Sequence, residues 1–79
     1  MNYLIICDSI IKPKLNDMLG KKLADNLLTQ ARFATTTAKS DREKLQIFVD
    51  TICKDDHFIG MWGTAQAARQ KDEWLGLYR

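Results

Sequence analysis

Tyr3-Leu4-Ile5-Ile6-Cys7-Asp8-Ser9-Ile10-Ile11 is the stretch on which the fold class turns. Apolar side chains at 3, 4, 7, 10 and 11 follow the 3.6-residue repeat and strict alternation fails, so a helix is predicted. Asn2 can cap its first turn through the side-chain oxygen. Ile5 and Ile6 fall off the stripe, which makes the helix apolar almost all round. That pattern predicts deep burial or a face shared with a partner. The alternative is a buried strand over 3–7, because short β-branched runs fit either state. It would make the fold α+β. No second strand is visible in the chain, so such a strand would have to pair with another copy.

The segments that follow favour the helical reading. Pro13 pushes Lys12 out of the α region, so the first element is expected to end near Ile11. Pro13 then opens a second helix, where its missing N–H costs nothing. Leu15, Met18, Leu19, Leu23, Leu27 and Ala31 form its apolar stripe, and Lys14, Asp17, Lys21, Lys22, Asp25 and Asn26 fill the other side. Gly20 lies inside it, at a cost of about 1 kcal/mol relative to Ala, or divides it in two. The run Ala34-Thr35-Thr36-Thr37-Ala38-Lys39 loses the period and reads as a connector.

Ser40-Asp41-Arg42-Glu43 is a capping box, with Ser40 accepting from the Glu43 N–H and Glu43 reaching back to the Ser40 N–H. Behind it Leu45, Phe48, Val49, Ile52 and Cys53 form a full stripe, and Lys54, Asp55 and Asp56 end that helix. Residues 57–63 read as a short helical turn or structured loop. Thr64 caps a last helix through Ala65, Ala68, Trp74 and Leu75, with Ala65, Ala67 and Ala68 as a small face and Gly76 as the stop. The expectation is an all-α domain spanning 1–79, a small bundle or irregular array of three to four helices near 2–11, 13–32, 41–54 and 64–75.

Composition agrees with one small globular unit: 79 residues, 46% hydrophobic, 28% charged, net charge +2. The longest apolar run, Tyr3–Cys7, is far below the ~20 residues that span a bilayer, and no charged segment precedes it. A cytoplasmic protein without a membrane partner is expected. Two cysteines are too few for a disulfide scaffold, so Cys7 and Cys53 are expected as reduced, buried core residues. A core this small points either to efficient helical packing or to a partner or second copy that completes it.

Three chemistries compete for the function. Cys53 and His57, four apart, would share one side of a continuous helix, and Cys7 could join them around zinc. No C-x-x-C, second histidine or finger spacing accompanies them, so no metal or cofactor is assigned. The same pair lacks any oxyanion-hole signal, adjacent Asp55 and Asp56 read as solvated, and no nucleotide-binding or hydrolase motif occurs, so no enzyme is expected. A nucleic-acid-binding regulator is the alternative reading. Residues 1–44 hold eight of the twelve Lys and Arg against five of the ten Asp and Glu, and Lys12, Lys14, Lys21 and Lys22 could meet phosphates. The modest overall charge and the absence of a helix-turn-helix pattern weaken it.

The favoured reading is a non-enzymatic interaction module, regulatory, adaptor or inhibitor in kind. It would dock an aromatic-rich surface on a protein partner or on a second copy as a homo-oligomer. Phe58, Met61, Trp62, Trp74 and Tyr78 crowd the last 22 residues, and such side chains are enriched at interface cores. The competing account is that they close this domain's own core.

Overall fold

The computed structural model describes residues 2–78, and no strand occurs among the described residues. α1 (Tyr3–Ile5), a π-helical turn (Ile6–Ile11) and α2 (Lys12–Leu19) run on as one rod. Then come α3 (Lys21–Ala34), α4 (Asp41–Cys53), α5 (Asp56–Trp62) and α6 (Thr64–Gly76). The all-α expectation holds, while three to four helices becomes five rods. The strand over 3–7 is replaced by a helical start in which Asn2 Oδ1 accepts from the Ile5 N–H at 2.9 Å.

The first rod differs from the expected break at Lys12. That residue sits squarely in the α region, φ −58° and ψ −50°. The rod passes through Pro13 because the preceding turn is wound wider. The Lys12 N–H donates to the Cys7 carbonyl, five residues back instead of four. A proline ring in a regular helix collides with the carbonyl four residues before it, and the wider turn makes room. The same winding re-phases the buried face to Tyr3, Ile6, Cys7, Ile11 and Leu15, leaving Leu4 and Ile5 exposed. The expected stripe placed Leu4 inside and Ile6 outside, and both are reversed.

Gly20 ends the expected 13–32 helix. Its φ of 82° and ψ of 158° lie where essentially only glycine rests, and Gly63 repeats them at 82° and 159°. Each makes a one-residue corner that keeps the helical ladders supplied on both sides. The Gly20 N–H donates to Asn16 O, and Gly20 O accepts from the Ala24 N–H, both at 3.0 Å. After this corner α3 buries Ala24, Leu27, Leu28 and Ala31, and Leu23 turns outward. Gly63, not Thr64, is likewise the cap of α6, whose buried face is Ala67, Gln70 and Trp74, with Ala65 and Ala68 exposed. Gly76 closes α6 as its last residue.

α4 is the central helix. It packs on α3 and α6 and touches α1 and α5. All five residues of its predicted stripe are buried. Ser40 Oγ accepts from the Glu43 N–H at 3.2 Å as expected, but the Glu43 carboxylate takes the Lys39 N–H at 3.3 Å in place of that of Ser40. Tyr3 meets Phe48 edge-on, ring centroids 6.0 Å apart and planes at 88°, which ties the amino-terminal turn to the centre of the core. The connector starts at Thr35, since α3 ends at Ala34, two residues past the expected end of the helix, and Thr35 Oγ1 donates to the Arg32 carbonyl at 2.7 Å.

Candidate functional site

The segment read as a turn or loop is a true helix, and Asp55 is the reason. One carboxylate oxygen of Asp55 accepts from the His57 N–H at 3.0 Å and the Phe58 N–H at 3.3 Å. An adjacent pair expected to be solvated therefore contains the cap that starts α5. Seven residues then suffice to place Phe58 and Trp62 on one side, four apart.

The five predicted anchors divide. Phe58 and Trp74 are buried, their ring centroids 6.2 Å apart, and they join α5 to α6 inside the core. Trp62 stacks obliquely on Phe58 at 5.5 Å and is half-buried. Tyr78 is half-buried against the core. It lies beyond the end of α6 and is not a helical continuation of Trp74. Met61 stands out, 61% exposed. Met61, Trp62 and Gln66 line an open depression of about 300 Å³ on the α5–α6 corner. Lys14 crosses from α2 to this corner, and its Nζ lies 5.1 Å from the centroid of the Trp62 ring. Sequence reasoning missed that contact and Gln66. Neither leaves a local signal, because the pairing of α2 with α5 is a tertiary event.

Two of the four lysines of the alternative reading point different ways. Lys12 lies over α3 in a shallow groove with Asp25, Leu28, Thr29 and Arg32, whereas Lys14 turns to Trp62. Two residues apart on a helix, they diverge. Lys21 and Lys22 open α3 and are exposed.

Cys53, His57 and Cys7 are not aligned either. α4 ends at Cys53, and Lys54 and Asp55 turn the chain, so Cys53 and His57 occupy different helices. His57 is exposed, with Nδ1 3.6 Å from Asp55. No three His, Cys, Asp or Glu side chains gather in metal-holding geometry among the described residues. Cys7 and Cys53 are buried free thiols. Burial pushes each from an ordinary 9.0 up to about 11.

A larger groove, about 390 Å³, separates α4 from α6 and is lined by Gln46, Ile47, Asp50, Lys71 and Leu75. Its charges answer one another: Asp50 pairs with Lys54 at 2.8 Å and Lys71 at 2.9 Å. Hydrogen bonds from Lys54 and then Lys71 hold that carboxyl below the usual range. The α5–α6 corner differs in presenting exposed apolar surface beside a cation that no carboxylate of the described residues pairs. Phe33, 78% exposed on α3, is a further exposed apolar side chain that lies off the expected stripe of that helix. No helix is long and apolar enough to cross a membrane among the described residues. Comparison with protein-family models, with curated proteins and with solved structures yields no match.

Proposed function

We propose that the protein is a non-enzymatic interaction module, a small regulatory, adaptor or inhibitor protein, that docks the Met61–Trp62 corner on a protein partner. The observation that carries this is the division of the aromatic cluster. Phe58 and Trp74 lie in the core, yet Met61 stays exposed and Trp62 half-buried at the surface of the helix that Phe58 anchors against α6. Trp and Met are enriched at interface cores, and a Met side chain adapts to irregular apolar shapes. An interface of ordinary size takes ~800 Å² from each partner. This chain exposes 5076 Å² in all, so Met61 and Trp62 would be the centre of such an interface and not its whole extent.

A photo-crosslinking side chain at position 61, with one at exposed Arg42 at the far end of α4 as control, tests this in cells. The expected result is one reproducible partner attached at 61 and not at 42, and its loss when Trp62→Ala is added to a chain that circular dichroism shows still folded. Equal labelling at both positions, or none, would refute the proposal. An adduct of twice the chain mass would overturn the partner form and assign the corner to self-association.

A further inference from the structure

We infer that the segment seated on this corner is acidic, presenting a large apolar side chain to the Met61–Trp62–Gln66 depression and a carboxylate to Lys14. The inference rests on the docking reading above. Its physical basis is the state of Lys14. Lysines 44, 54 and 71 have their ammonium groups matched by carboxylates of this chain: Lys44 by Asp41, Lys54 and Lys71 by Asp50. Lys12, Lys14, Lys21, Lys22 and Lys39 make no ion pair among the described residues, and of these Lys14 is the one placed over an indole, that of Trp62. A cation over the face of an indole is attracted to it, which biases the position of the ammonium without consuming its N–H donors. Asp17, one turn further along α2, is the nearest carboxylate in sequence, and it makes no ion pair with Lys14 among the described residues.

A second cation lies on the helix that carries Gln66. Arg69 is three residues beyond Gln66 on α6, both are exposed, and that spacing puts them on one helix face. Arg69 likewise makes no ion pair with a carboxylate of the described residues. The depression thus presents Met61 and Trp62 beside the polar Gln66, with the Lys14 ammonium over the Trp62 ring at its edge. Because the indole already restrains Lys14, a carboxylate arriving there orders less side chain than one meeting a free lysine, which favours binding at that point. Complementary charge also selects the partner and speeds encounter. A basic or purely apolar segment would leave Lys14 facing like charge or no charge.

Selection of random twelve-residue peptides displayed on phage, at low salt, tests the inference against three folded chains: wild type, Lys14→Glu and Trp62→Ala. Wild-type binders are expected to combine Asp or Glu with a large apolar residue. Synthetic copies should bind Lys14→Glu about tenfold more weakly, and selection on Lys14→Glu should shift toward Lys and Arg. Binders that need Trp62 but show no acidic bias, or that tolerate Lys14→Glu, would overturn the acidic partner and leave the docking surface standing. Failure to recover any binder that needs Trp62 would overturn the docking surface itself.

Discussion

Replacing one glycine by alanine is expected to have opposite effects at positions three residues apart. Gly63 sits at φ 82° and ψ 159°, and a Cβ built there would meet no atom within 4 Å. Gly60 lies inside α5 with helical dihedrals, and a Cβ there also meets nothing within 4 Å. Crowding is therefore absent at both sites, and backbone preference alone decides. At Gly63 the strained region costs a non-glycine residue about 1–3 kcal/mol. At Gly60 alanine should gain about 0.4–1 kcal/mol, because it restricts the unfolded chain and favours the helix. For a chain this size 1 kcal/mol moves the midpoint by roughly 4–8 °C. Gly63→Ala should thus lower Tm by about 5–20 °C, and Gly60→Ala should raise it by a few degrees. Gly20→Ala, in the same conformation as Gly63, should match Gly63→Ala. Thermal unfolding followed by circular dichroism at 222 nm, with urea titration at 25 °C, measures all three. Equal Tm values for Gly60→Ala and Gly63→Ala would refute the one-residue corners, as would stabilisation by Gly20→Ala.

The division of the aromatic cluster predicts that Phe58→Ala loses about 3–5 kcal/mol in urea unfolding, whereas Met61→Ala stays within about 0.5 kcal/mol of wild type. At pH 8 the thiolate fraction of Cys7 and Cys53 should be about a hundredfold below that of a thiol with the ordinary value. Native-state alkylation by iodoacetamide should be slow at both and fast in urea. Both thiols bind their protons more tightly when folded, so their contribution to stability is complete below pH 9 and is lost as pH rises through about 11. A urea midpoint that climbs over this range would contradict their burial. Asp50 has the reverse sign: its folded carboxyl is held low by Lys54 and Lys71, so its contribution is present above the ordinary carboxylate value and fades as pH falls. The pairs are exposed, and Asp50→Asn should cost no more than about 1 kcal/mol at neutral pH, with little effect at low pH.

What the linear sequence carried was local. The capping oxygens of Asn2 and Ser40 act where they were read, because a cap needs only a neighbour three residues on. The α4 stripe was complete because nothing interrupts thirteen regular residues. All-α architecture follows from elements of that kind. The candidate site was legible to the extent that aromatics crowd the carboxyl-terminal third.

Three matters were settled only by tertiary structure. Periodicity assumes one winding, and the wide turn before Pro13 and the corners at Gly20 and Gly63 change the winding or the direction. Leu4 and Leu23 therefore point outward while Ile6 and Leu28 point in. The choice between core and surface for each aromatic depended on where α6 crosses α5, since Trp74 packs on Phe58 while Met61 stays 61% exposed. The cation at the corner comes from Lys14, 48 residues before Trp62. No local rule joins two side chains so far apart in sequence. Only the packing of α2 on α5 brings them within reach, and on that contact the character of the surface depends.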